Sequence, residues 1–149
     1  NYENKLILAP MVKIGTLPFR LLALHYGADI VYTEELIDFR LLRAERLENK
    51  VLDTVDYIDR TDDTLVLRIS PEERGKLVLQ MGTACAKRAV RVAKMVEQDV
   101  DGIDINMGCP PFTKLKKDQM EANKCAVERF VEEVYSSAFK LNRSPCYKV

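Results

Sequence analysis

The sequence predicts an α/β fold built from parallel strand–helix units, and three observations lead there. Short apolar runs recur through residues 1–110, and each stops at polar or turn-forming residues. Helix-spaced apolar positions separate several of these runs. The organising run is Gly102-Ile103-Asp104-Ile105-Asn106-Met107-Gly108-Cys109-Pro110, which sets Ile103 and Ile105 on one face and Asp104 and Asn106 on the other. It breaks at Gly108 and Pro110, which punctuate a turn. Asn106 and Cys109 therefore stand where a strand runs out into a loop. In barrels of alternating strands and helices, chemistry is placed at that end. A cysteine near a strand end also serves as a small buried hydrophobe, and both readings stay open on these residues alone.

The first apolar run, Lys5-Leu6-Ile7-Leu8-Ala9-Pro10-Met11, has the continuous pattern of a strand covered on both faces. Pro10 ends it, because proline donates no ladder hydrogen bond. Val12 to Thr16 forms a loop, Thr16 is placed to cap a helix, and Pro18 is tolerated in its first turn. Leu17, Leu21 and Leu24 share one face, and Gly27 supplies the left-handed stop. His25, the single histidine, falls at the helix end, where the macrodipole favours a surface imidazole. Asp29 to Glu35 is the second strand, with Glu34 and Glu35 at its carboxyl end as either a site carboxylate or solvated acids. Asp38 is placed to cap a second helix running through Leu47, with Phe39 and Leu42 facing inward.

Residues 51–81 change character. Val51 to Ile58 alternates loosely, and Arg60-Thr61-Asp62-Asp63 is a polar turn. Leu65 to Ile69 and Leu77 to Gln80 read as strands, joined by the charged, turn-rich link Ser70 to Gly75. Gln80 closes its strand with a carboxamide. Thr83 is placed to cap a third helix whose stripe is Ala86, Ala89, Val90, Ala93 and Val96. The rhythm of strand and helix predicts a parallel sheet, with Pro10-Met11, Glu34-Glu35, Gln80 and Asn106 to Cys109 on one rim.

Composition narrows the function class. With 149 residues the chain can bury one core, and its 47% hydrophobic and 31% charged content is ordinary for a globular domain. Lys+Arg and Asp+Glu both total 23, so no general basic field marks a nucleic-acid binder. Cys85, Cys109, Cys125 and Cys146 form no C-x-x-C pair, which argues against a zinc site and favours free thiols in a reducing cytosol. No apolar run approaches the roughly 20 residues of a membrane span, and no signal-peptide layout opens the chain. The expected setting is cytoplasmic.

Four segments add up to a family. A-P-M-x-x-x-G-T-L-P-F-R at Ala9 to Arg20, G-A-D-I-V-Y-T-E-E at Gly27 to Glu35, V-L-Q-M-G at Val78 to Gly82, and G-I-D-I-N-M-G-C-P at Gly102 to Pro110 resemble the tRNA-dihydrouridine synthases. The wording is nearest the eukaryotic branch that acts on a D-loop uridine. The resemblance implies a TIM-type (β/α) barrel holding FMN, reduced by NADPH, and tRNA as partner. It implies hydride transfer from FMN to C6 of a uracil and protonation of C5 by a cysteine. Carried onto this sequence, Pro10, Met11 and Val12 would lie against the isoalloxazine, and Gln80 would bond its pyrimidine edge. Asn106 would help position the uracil, and Cys109 would donate the proton. An ordinary thiol has a pKa of about 8.5 and keeps its proton at neutral pH, which suits that role.

After Pro110 the motifs stop. All six glycines lie at or before Gly108, so residues 109–149 hold no glycine-rich phosphate cradle. Pro111 to Lys117 is a basic connector, and Val127, Phe130, Val131, Val134, Tyr135 and Ala138 follow helical spacing in an amphipathic stripe. The expected organisation is therefore the amino-terminal half of a barrel over 1–110 and a divergent connector and helical tail over 111–149. A full barrel takes about 250 residues and eight strands. Family assignment favours a flavin-dependent reductase of tRNA uridine over a dihydroorotate dehydrogenase-like pyrimidine oxidoreductase. For the activity of these 149 residues alone, the expectation is an inactive partner that self-associates through sheet edges or the 127–138 face.

Overall fold

A computed structural model of the chain describes residues 2–83 and 85–106. Its centre is a parallel sheet. Strand β1 (Ile7–Leu8) pairs with β2 (Ile30–Tyr32), and β2 pairs with β7 (Leu77–Gly82) through Val31↔Leu77 and Tyr32↔Val78. Strand β3 (Leu36–Ile37) rejoins β7 further along, at Met81 and Gly82. Strand β8 (Gly102–Ile105) occupies the other edge of β7. Since Met81 pairs with both Leu36 and Ile105, β2 and β3 are two halves of one interrupted strand on the same edge. Thr33 spans the interruption: its backbone N–H donates to the Val78 carbonyl at 2.9 Å, and its hydroxyl accepts from the Gln80 N–H at 3.0 Å. A side-chain oxygen thus stands in for the carbonyl that a continuous strand would offer.

The two faces of this sheet differ. Val31, Leu77, Leu79, Met81 and Ile103 share one face and pack into the core with Ala89, Val92, Ala93 and Val96 of α3 (Ala86–Val96). Ala23 and Leu24 of α1 (Leu17–His25) pack against the same core. Tyr32, Val78, Gln80 and Asp104 alternate onto the opposite face. The α/β class and the two-faced reading of residues 103–106 agree with the sequence. Among the described residues the sheet does not close into a barrel.

Residues 44–69 depart from the expected strand–helix rhythm. Helix α2 is short (Asp38–Arg43) and gives way at once to β4 (Ala44–Asn49), where the sequence pattern had extended a helix to Leu47. β4, β5 (Thr54–Asp59) and β6 (Thr64–Ile69) form an antiparallel meander separate from the parallel sheet. Ala44-Glu45-Arg46-Leu47-Glu48 has good helix propensity, but a continuous ladder with β5 and ion pairs from Arg46 and the preceding Arg43 override it. Arg43 bonds buried Asp59 at 2.8 Å, and Arg46 grips Asp99 beyond α3 with two nitrogens at 2.8 and 2.9 Å. The buried ring of Tyr57 sends its hydroxyl to the same Asp99 at 2.5 Å, docking the meander on α3.

Three helix starts also differ from expectation. Thr16 occupies the N-cap position of α1 but its side chain caps nothing, its hydroxyl donating to the Ile14 carbonyl at 3.4 Å. Asp38 lies inside the first turn of α2, and Ile37 holds the N-cap position. Cys85, not Thr83, precedes α3; Thr83 instead donates to Asp38 at 2.6 Å and accepts from the Cys85 N–H. Phe39, expected inside, is exposed and carries the Arg88 guanidinium 4.1 Å above its ring. The fully buried residue of α1 is Arg20, not one of the leucines of its stripe. The stripe Val127 to Ala138 and the connector Pro111 to Lys117 lie outside the described residues.

Candidate functional site

The carboxyl ends of β1, β2, β7 and β8 point the same way because all their pairings are parallel. Pro10-Met11, Glu34-Glu35 and Asn106 accordingly lie toward one end of the sheet, whereas Gln80, expected to close its strand, stands inside β7, which runs on through Met81 to Gly82.

The β1–α1 loop is built tightly at this end. The Met11 carbonyl accepts from Ile14 and Gly15 N–H groups at 3.2 and 2.8 Å, and Lys13 takes a left-handed φ of 65°. Glu34 reaches across to accept from the Lys13 N–H at 2.7 Å. That carboxylate, read from sequence as either a site acid or a solvated one, is a clamp on the loop. Gly15 is pressed against the interrupted strand: a Cβ there would sit 2.7 Å from the Glu34 nitrogen. Pro10 and Met11 are half-buried, whereas Val12 is exposed, leaving an apolar side chain beside the rim.

Behind the loop stands a buried ion pair with no counterpart in the sequence reading. Arg20 is 1% exposed and Glu73 fully buried. The Arg20 Nε and Nη2 donate to the two Glu73 oxygens at 2.6 and 3.1 Å. The remaining donors reach the Gly15 carbonyl at 2.8 Å and the Arg68 carbonyl at 2.7 Å. Glu73 also accepts from the Ser70 N–H at 3.0 Å, completing a capping box at the 3₁₀ turn Pro71–Glu73. Four of the five guanidinium N–H groups thereby have acceptors, which is what allows the charge to be buried.

Gln80 sits on the polar face, half-buried. Its Nε2 donates to Asp104 Oδ2 at 2.7 Å, across the register pair Gln80↔Asp104. Tyr32 lies on this same face, its hydroxyl donating to Tyr2 at 3.3 Å. Burial, the bond to Tyr2 and the negative charge of Asp104 all push its phenol above the ordinary value. The Asn106 N–H donates to the Met81 carbonyl at 2.9 Å, which fixes its backbone as the continuation of β8. Cys109 lies outside the described residues. Gln80 and Asn106 are thus on adjacent strands, while Pro10 to Val12 are separated from Gln80 by the β2 strand line. A distinct cleft of about 540 Å³ opens between α1 and the meander, walled by Leu17, Pro18, Leu36, Leu65 and Leu67. It shares Gly15, Thr33 and Glu34 with the rim and none of the other predicted site residues.

Sequence reasoning missed Arg20, Glu73, Thr33 and Asp104. For Asp104 a signal existed, since it is polar at the same alternation as Asn106 and faces the strand bearing Gln80. For Arg20 there was none, its partner lying 53 positions away. Among the described residues no group of acids, histidines or cysteines could hold a metal ion.

The comparisons with known proteins agree with the motifs. The family model described as dihydrouridine synthase (Dus) matches residues 7–123, past Pro110 where the quoted motifs end. A tRNA-dihydrouridine(20) synthase of Schizosaccharomyces pombe is 45% identical over 113 residues, covering 74% of this chain and 24% of the relative. A tRNA-dihydrouridine(20) synthase of Saccharomyces cerevisiae is 48% identical over 115 residues, covering 73% of this chain and 30% of the relative. A tRNA-dihydrouridine(16/17) synthase of Schizosaccharomyces pombe is 34% identical over 106 residues, covering 71% of this chain and 23% of that protein. The chain thus spans between about a quarter and a third of the length of these curated relatives. With the family match running through the β1 loop, the Gln80 strand and the Asn106 strand end, this chain belongs to the dihydrouridine synthase family.

Proposed function

We propose that residues 1–110 form the amino-terminal half of a TIM-type barrel that reduces uridine to 5,6-dihydrouridine in tRNA. NADPH is the reductant and the cytoplasm the setting. Residues 111–149 are then a divergent connector and tail, of which 111–123 still fall within the family match. The observation that carries this reading is the convergence of four family-like segments on one end of a parallel sheet. Such sheets place ligands at the carboxyl ends of their strands.

The residues present suit FMN. Gln80 offers a carboxamide whose Oε1 has no partner among the described residues, and the imide edge of a flavin alternates acceptor, donor, acceptor. Pro10, Met11 and exposed Val12 offer apolar surface for a flat ring. FMN, when bound, supplies hydride chemistry and is recharged by NADPH.

The protein's part is alignment and proton delivery. Pro10 to Val12 would lie against FMN, and Gln80 would bond its pyrimidine edge. Asn106 would bond the polar edge of the uracil. Cys109 would hold and give the proton taken up at C5, its thiolate regaining a proton from water. Self-association through sheet edges or the 127–138 stripe is the second partner reading, motivated by apolar residues exposed on the described surface, including Leu6 and Ile37.

The test is to purify the chain with FMN, add NADPH and unmodified tRNA, and look for retained flavin and for dihydrouridine by mass spectrometry. Retained flavin is expected. Product would overturn the expectation that these 149 residues alone are inactive, and a chain that retains no FMN overturns the reading.

A further inference from the structure

We propose that Asp104 is a positioning residue, fixing the Gln80 carboxamide so that its carbonyl oxygen faces the imide N–H of a bound flavin. This rests on the function proposed above. The register pair Gln80↔Asp104 joins two adjacent parallel strands on the face turned away from Leu79, Met81 and Ile103. The two side chains meet at 2.7 Å between Nε2 and Oδ2.

The orientation of the amide follows from chemistry. An ionised carboxylate only accepts, so the group that Gln80 turns toward Asp104 must be its NH₂. Oε1 is then directed away from β8, with the second Nε2 proton beside it. The backbone is held as well, since the Gln80 N–H donates to the buried Thr33 hydroxyl at 3.0 Å. A carboxamide without such a partner presents either end to a ligand. One of the two orientations sets its N–H against the N–H of the imide. Asp104 removes that orientation before the ligand arrives, and pre-ordering of this kind strengthens binding.

The experiment is a double-mutant cycle on the full chain, reading FMN affinity by quenching of flavin fluorescence. Asp104→Ala is expected to weaken FMN binding about tenfold, the scale of one hydrogen bond to a charged or oriented group. In a Gln80→Ala background the same substitution is expected to change affinity by less than about twofold, because Asp104 acts through Gln80. The unliganded chain gives a second readout. The two side-chain amide protons of Gln80 should resonate far apart in the wild type and draw together in Asp104→Ala. Asp104→Asn keeps the side-chain volume and replaces Asp104→Ala in the cycle if that variant does not fold.

Equal losses from the Asp104 substitution with and without Gln80 would overturn the inference and leave the proposed function standing. Wild-type affinity in Gln80→Ala would overturn the flavin contact itself. Failure of the wild-type chain to bind FMN would overturn both.

Discussion

Arg20 and Glu73 form a two-pronged ion pair at 2.6 and 3.1 Å with both side chains withdrawn from solvent, and the same guanidinium holds the carbonyl of Gly15. The pair therefore joins α1, the 3₁₀ turn before β7 and the loop that carries Pro10 to Val12.

Breaking this pair from one side leaves a charge without compensation. Arg20→Met should destabilise the fold by about 3–5 kcal/mol, because Glu73 stays buried and unpaired. Urea denaturation should show most of that loss recovered in the double variant Arg20→Met/Glu73→Leu. A loss below about 1 kcal/mol in the single variant would contradict the role given to the pair.

Gly15 is constrained by proximity, since a Cβ there would stand 2.7 Å from the Glu34 nitrogen and 3.1 Å from the Thr33 carbonyl carbon. Both are backbone atoms and cannot rotate away. Gly15→Ala should cost about 1–3 kcal/mol, as overpacking does. It should also weaken FMN retention, because the Met11 turn would have to shift. Thermal melts and flavin binding, measured on one preparation, separate the two effects.

Stability in acid should depend on Asp59. The hydroxyl and N–H of Thr61 bond its carboxylate, burial opposes them, and Arg43 adds a favourable charge, which together hold its pKa at about 2, below the ordinary 3.8. A carboxyl whose folded value is depressed stabilises the fold above its unfolded pKa. That contribution is lost as pH falls from about 3.8 toward 2. Asp59→Asn should melt lower at neutral pH and lose less stability across that interval. Parallel curves for the two proteins would refute the assignment.

Tyr57 joins the meander to α3 through Asp99, whose carboxyl burial raises but the bonds from Arg46 and Tyr57 lower further, leaving it below its ordinary value. Tyr57→Phe keeps the ring and removes the 2.5 Å bond. A cost of about 1–3 kcal/mol is expected, since Asp99 is nearly buried. Chemical denaturation at neutral pH measures it.

Under the proposed function, in a protein that carries the whole barrel, Cys109→Ala should reduce dihydrouridine formation by roughly a hundred-fold or more while FMN binding stays unchanged, as loss of a general acid does. Single-turnover assays with reduced flavin read the step directly.

The parallel sheet was legible because its strands obey simple rules. Apolar runs at Leu6 to Leu8, Ile30 to Tyr32 and Leu77 to Leu79 marked three of its strands, although β7 continues past its run to Gly82. The alternation of Ile103, Asp104 and Ile105 gave the two faces correctly. The meander was not legible. Residues 44–48 favour a helix locally, and only pairing with Thr54 to Asp59 and the grip of Arg46 on Asp99 make them a strand. The position of Asn106 could be read from its strand end, whereas Gln80, read as closing its strand, lies two residues inside β7. Their supports could not, because Asp104, Thr33 and Arg20 act through partners distant in the chain. The thiol at 109 carries a role taken from resemblance, and its placement lies outside the described residues.

The reach of Arg20 also sets an order of assembly. Strands β4 to β6 join neighbours through short turns, so they can pair as soon as they leave the ribosome. The loop after β1 has no such independence, because its clamp waits for the Arg68 carbonyl and the Glu73 carboxylate. A nascent chain paused before Glu73 emerges should protect the hairpin amides from exchange while the amides around Gly15 still exchange freely.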